Sequence, residues 1–144
     1  MSAHSTNSAH TTNSVDTLIT VAPDTRATQS RVPDLDAAKP SVAAAQFALI
    51  ADAPYTLTSD DVIFTVWADR RGIAEADRAA ARAEFFSKGQ PCLRTSALAK
   101  THGFGIHSDA QGRVALVPME SERYAELRTD GTVTQQRAMR SSRG

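Results

Sequence analysis

Polar residues run almost unbroken from Met1 to Ser14, a stretch rich in Ser, Thr, Asn and His. Such a composition buries too little apolar surface to offset the entropy of ordering, so residues 1–14 are expected to form a disordered polar tail. The first apolar cluster, VDTLITV over 15–21, fits a short strand. Residues 22–40 are polar, contain three prolines and lack periodicity, which predicts a long surface loop or strap. From Ser41 the period changes. Ala43, Phe47 and Ile50, widened by Leu49, share one helical face over 42–51, with Ser41 as cap and Pro54 as stop. The next segment, YTLTSDDVIFTVWADRRGI, fits two periods. Val62, Ile63, Val66 and Trp67 make a helical stripe, whereas Val62, Phe64 and Val66 alternate as in a strand. Thr58 and Asp61 as a capping pair, with Gly72 as terminator, decide for the helix.

AEADRAAARAEFFSKG predicts a further helix with Ala76, Ala79, Ala80, Ala83 and Phe86 on one face, and with Glu84 and Lys88 paired four residues apart. Gly89 and Pro91 end it. FGIHSDAQGRVALVP then reads as a β-hairpin with Gly112 at the left-handed position of its loop. That register sets His107 opposite Ala115 and Ile106 opposite Leu116. Phe104, Ile106, Val114 and Leu116 would face the core, and Gly105, His107, Ala115 and Val117 the other side. A short helix over 120–127, a turn at Asp130-Gly131 and a strand within 132–139 complete the pattern, before a basic tail at 140–144. Helical and strand patterns are segregated, so the expected class is α+β. The expected architecture is a small antiparallel sheet with the hairpin in the C-terminal half, packed against two or three helices in one domain over 15–139.

Hydrophobic residues at 41% and charged residues at 22% suit a globular chain. Five Phe, two Tyr and one Trp leave alanine to supply much of the apolar count, so the core is modest. A partner subunit would then help, and a homodimer hiding the alanine-rich helix against its twin is one reading. Sixteen basic and sixteen acidic residues balance, which argues against a dedicated binder of nucleic acid or anionic membrane. Arg137, Arg140 and Arg143 recur every three residues and, if helical, would give a weak nucleic-acid patch against the reading of a solvated tail. Cys92 is the single cysteine, so an intramolecular disulfide and a cysteine-based zinc site are both excluded. The start lacks a secretory pattern and no run approaches the ~18 apolar residues of a membrane span. The expected location is the cytoplasm.

HTTNSVDTLITVAPD, YTLTSDDVIFTV, the long stretch FFSKGQPCLRTSALAKTHGFGIHSDAQGRVALVPMESERY and the final AMRS resemble the DUF6157 family of uncharacterised small proteins. SKGQPCLR and GIHSDAQG are the most distinctive pieces. Val62, Ile63, Val66 and Trp67 meet the apolar face of the family's central helix. The chain departs from the family at Ser14 or Val15, where an aromatic is expected. It departs again at THGFG, where relatives have an arginine, an aromatic and a glycine-aromatic-glycine. Lys100 therefore matches a family position and His102 does not. The resemblance implies no activity, substrate, cofactor or catalytic residue.

Candidate chemistry concentrates in 88–109, which joins the alanine-rich helix to the hairpin. Lys88, Gln90, Arg94, Lys100 and His107 would form a surface for an anionic small molecule or a protein partner, with Cys92 at its edge. Gly105 beside His107 would leave room for the ligand. A small enzyme using Cys92 or His107 is the alternative, and needs an imidazole or a cation beside the thiol. The plainer account has Cys92 as a small buried group, Arg94 paired with an acid and the glycines serving close packing. His102, His107 and Asp109 lack metal-ligand spacing, so no metal site and no cofactor are expected. KGQP lacks the glycines of a phosphate loop. Adjacent Asp60 and Asp61 suit the first turn of a helix better than a catalytic carboxylate pair.

Overall fold

The computed structural model describes residues 9–140. The expected disorder of residues 1–8, including His4, and the tail residues 141–144, including Arg143, lie outside the described residues.

Strand β1 spans Thr17–Thr20, and helix α1 spans Val42–Asp52. Ser41 caps α1 by accepting the Ala44 N–H. Helix α2, Ser59–Arg70, begins with a reciprocal capping box between Thr58 and Asp61. A 3-10 turn at Glu75–Asp77 leads into α3, Arg78–Phe85. Another at Leu93–Thr95 precedes the single turn α4, Ala97–Lys100. Strands β2, Phe104–Ser108, and β3, Val114–Pro118, are followed by α5, Glu122–Thr129, and β4, Thr134–Arg137.

The strands form one sheet in the order β3-β2-β1-β4. β2 pairs antiparallel with β3 and with β1, with Ile106 opposite Leu116 and His107 opposite Ala115. β4 runs parallel to β1, so the sheet is mixed and not purely antiparallel as expected. The cause is α5. Two antiparallel steps make β3 parallel to β1, and a helix returns the chain to the end from which it set out. The strand after α5 must therefore repeat the direction of β3.

Five helices, not two or three, accompany the sheet among the described residues. Ile50 of α1, Val62 of α2 and Ala99 of α4 pack with Ile19, Ile106 and Val114 on one face. Tyr124 and Leu127 of α5 pack with Leu18 and Val117 on the other. Every residue of β2 is consequently buried. The room expected beside Gly105 is taken by Tyr124: a Cβ at Gly105 would lie 2.6 Å from its ring. The Tyr124 hydroxyl continues to β1 and accepts the Val21 N–H at 3.1 Å.

Helix α3 packs against α2 through Phe85 and Phe86, which join Phe64 and Ala68. The face expected from sequence is buried only at Phe86. Ala76, Ala79, Ala80 and Ala83 are exposed, while Ala81 and Arg82 turn inward above Phe85. Burying a methyl removes little area from water, so the two phenylalanines set the rotation of the helix. Lys88 lies beyond the end of α3, and the ion pairs of this region are Arg78–Asp69 and Arg82–Asp61.

The polar tail expected to stay disordered as far as Ser14 is fastened from His10 onward. The His10 N–H donates to the Phe86 carbonyl at 2.8 Å. Buried Asp60 then accepts from the Thr11 hydroxyl, the Thr12 hydroxyl and the Thr12 N–H, each at 2.7 Å. Asn13 Oδ1 accepts the Asp60 N–H in return, at 2.9 Å. Asp60 is thus a clasp for a segment some fifty residues distant in sequence, beyond its favourable place at a helix start.

Candidate functional site

The positions proposed from sequence do not form one site. Arg94 lies against the sheet edge, its Nε donating to the Arg137 carbonyl at 2.7 Å while its own carbonyl accepts the Met139 N–H. Cys92 borders a hollow of about 10 Å³ shared with Thr17, Ile19, Ser108 and Gln136. Lys100 ends α4 and is half-buried. His107 points to the α5 side of the sheet, where its Nδ1 meets the Tyr55 hydroxyl at 2.8 Å.

Strand alternation fixes the separation of thiol and imidazole. Thr17, Ile19 and Ser108 project to one face, and Leu18 and His107 project to the other. Cys92 and His107 therefore stand on opposite faces of the sheet and form no catalytic pair. Arg94 is held at the β4 edge of the sheet, with β1 between it and His107 on β2. His102 is engaged elsewhere again, with Nδ1 at 3.2 Å from the Arg31 carbonyl. Among the described residues no group of three His, Cys, Asp or Glu side chains converges as a metal site would require.

Arg137 and Arg140 do not lie on a helix as the patch considered from their spacing requires. Arg137 belongs to strand β4, and Arg140 follows it outside any helix. For a dimer through α3, Ala79 and Ala83 are on the surface but Phe86 is buried beneath them. No helix among the described residues is long and apolar enough to cross a membrane.

Lys88 and Gln90 do come together, in a cleft of about 460 Å³ between α1, α2 and the end of α3. Its floor comes from α2, where Ile63, Val66, Trp67 and Arg70 recur at three- and four-residue intervals and so lie along one side of the helix. The Phe85 ring adjoins Trp67 at 4.7 Å between centroids. Arg71, just past the helix end, folds back with its guanidinium carbon 4.5 Å from the centre of the Trp67 ring. That distance is a cation–π contact. Arg70 reaches the Pro40 carbonyl at 2.9 Å, tying the end of the long strap to this rim. Gln90 Nε2 donates to the Phe85 carbonyl at 2.7 Å, satisfying an acceptor that α3 leaves open at its end.

Arg70, Arg71 and Lys88 oppose a single acid, Glu84, around the cleft. The volume falls within the ~300–1,000 Å³ range of small-molecule sites. An apolar aromatic base ringed by excess positive charge accommodates a ligand with a flat apolar body and an anionic group. The sequence does not single out Trp67, Arg70 and Arg71 as a unit, because Ile63 and Trp67 read only as members of an apolar helical stripe. Their spacing in line with Arg70 was the available signal: a core stripe that runs into an arginine is half-exposed.

No curated protein and no solved structure matches the chain. The model of DUF6157, a family of unknown function, matches residues 9–144, and the chain belongs to that family.

Proposed function

We propose that this protein binds a small amphipathic anion, an aromatic carboxylate or sulfonate in chemical type, in the cleft beneath Arg71 and Lys88. One observation carries the reading: the only tryptophan of the chain is half-buried at the base of the cleft, and three of the four charged residues around it are cationic. The ring supplies apolar area with little rotamer entropy to lose, and the guanidinium groups supply forked donors for an anion. Lys88 and Gln90 serve here, whereas Arg94, Lys100 and His107 take no part. The reaction chemistry sought at Cys92 finds no support, because no imidazole shares its hollow.

Titration with anilinonaphthalene sulfonate, followed by probe fluorescence and by Trp67 emission, tests the proposal. Saturable one-to-one binding is expected, with neutral phenylnaphthylamine binding more weakly. Trp67→Leu and Arg71→Gln should each weaken the sulfonate by about tenfold, the equivalent of ~1.4 kcal/mol. Unchanged affinity in both variants, or equal affinity for the neutral probe, would reject the cleft as an anion site.

A further inference from the structure

A second concavity, of about 320 Å³, lies under the long strap and is lined by Arg26, Ala27, Thr28, Gln29, Arg31 and Thr101. It shares no residue with the aromatic cleft. Its walls are of a different kind, with two guanidiniums, hydroxyls and a carboxamide but no aromatic ring and no carboxylate. The ion pairs Arg78–Asp69, Arg82–Asp61 and Arg123–Glu126 lie elsewhere in the fold.

The strap is pinned on both sides of this hollow, so the arginines project from a fixed backbone. The Ala22 N–H donates to the Ala99 carbonyl at 3.0 Å, and the Arg31 N–H donates to the His102 carbonyl at 2.8 Å. Between them, the Ser30 N–H and hydroxyl donate to the Glu120 carboxylate at 2.8 and 2.7 Å. Gly103 lets the strap approach closely, since a Cβ there would lie 2.7 Å from the Gln29 carbonyl oxygen. Glu120 is held to the strap by these bonds, with Ser30 on both its oxygens, and Asp24 on the strap itself is also engaged. Thr101 contributes shape more than a donor, because its hydroxyl donates to the Ala97 carbonyl.

We infer that this hollow is a binding site for a phosphoryl group, held between the Arg26 and Arg31 guanidiniums with Thr28 and Gln29 as further donors. Two forked cations on a pinned backbone match the several acceptor oxygens of a tetrahedral dianion. Polar walls and a volume larger than one phosphate suit a monoester of a small polar alcohol, while an aromatic anion belongs in the other cleft. The site is open to solvent, so its affinity is modest and declines with salt.

Heteronuclear NMR titration of the wild-type protein at constant ionic strength tests the inference, using sodium phosphate, glycerol phosphate, sodium sulfate and sodium acetate. Saturable shifts of the Thr28 and Gln29 amides are expected with the three tetrahedral anions, and much weaker ones with acetate. Glycerol phosphate binding tighter than inorganic phosphate assigns the site to a monoester, and the reverse order to the free anion. Arg26→Gln and Arg31→Gln should each weaken binding about tenfold, and Arg26→Lys with Arg31→Lys, which keeps the charge but not the fork, should weaken it as well. Arg71→Gln should leave it unchanged. Absence of saturable shifts in the wild-type chain, equal shifts with acetate, or full retention in the glutamine or lysine variants would overturn the assignment.

Discussion

The Tyr55 hydroxyl and His107 Nδ1 lie 2.8 Å apart, with the two rings edge to face at 5.6 Å between centroids. Tyr55 reaches this position from the α1–α2 connection in a left-handed conformation, φ 55°, with its N–H donating to Val114 at the sheet edge. A non-glycine residue holds that conformation only when its surroundings over-determine it. Ala115, opposite His107 on β3, is small enough to leave the ring space above the edge strand.

Burial lowers the His107 pKa from the ordinary 6.5, and the charge of Arg123 lowers it further, against the pull of Asp109, Asp16 and Asp130. The folded state thus resists a proton that the unfolded chain accepts at its ordinary value. Stability should be full above pH 6.5, fall as the pH drops below it, and level off once the folded imidazole is protonated. Urea midpoints measured between pH 5 and pH 8 check this. His107→Gln should flatten the dependence, and Tyr55→Phe should lose about 1 kcal/mol at neutral pH by removing the hydrogen bond.

Gly105→Ala should be among the most damaging small substitutions in the sheet. Its methyl would meet the Tyr124 ring at 2.6 Å and the Ile19 carbonyl at 3.2 Å, so α5 or β1 has to move. A loss of about 1–3 kcal/mol is expected from overpacking. Tyr124→Leu in the same chain should recover part of it, a coupling that a double-mutant cycle reads directly.

The Asp60 clasp predicts ordering of residues 10–13 that one carboxylate controls. Asp60→Ala removes the acceptor of the Thr12 amide and the Thr11 hydroxyl, while the Thr12 hydroxyl keeps Ser59, at a cost of about 1–3 kcal/mol. Hydrogen exchange at the Thr12 amide should accelerate in this variant while exchange in β2 remains slow. Equal acceleration in β2 would mean global unfolding and no local clasp.

Cys92 should behave as an ordinary half-buried thiol. Its neighbours in the hollow are hydroxyls, a carboxamide and aliphatic groups, and the Arg94 Nε is engaged by the Arg137 carbonyl. Alkylation by iodoacetamide at neutral pH should run no faster than for a free small thiol, and unfolding should speed it. Faster reaction in the native protein would reopen nucleophilic chemistry at this residue.

The helix starts were legible because their information is local. Ser41 and Thr58 with Asp61 satisfy N–H groups three residues away, so a few adjacent letters contain both donor and acceptor. The rotation of α3 was not legible in the same way: its alanines recur on several faces, and only packing of Phe85 against Phe64 and Trp67 selects one. Site reading failed for a related reason. Lys88 to His107 are close in sequence, but alternation along β2 turns the imidazole to the face opposite the thiol, while Trp67 and Lys88 line one cleft from α2 and from beyond the end of α3.

Sequence alone determined the α+β class, the caps, and the alternation that divides β2 between two faces, since each depends on contacts within a few residues. Tertiary structure decided the parallel placement of β4, the filling of Gly105 by Tyr124, the fastening of Thr12 to Asp60 and the gathering of cations around Trp67. These joins link positions tens of residues apart. Their partners are chosen by which faces remain uncovered after the sheet and helices have packed, a property of the whole chain that no short pattern contains.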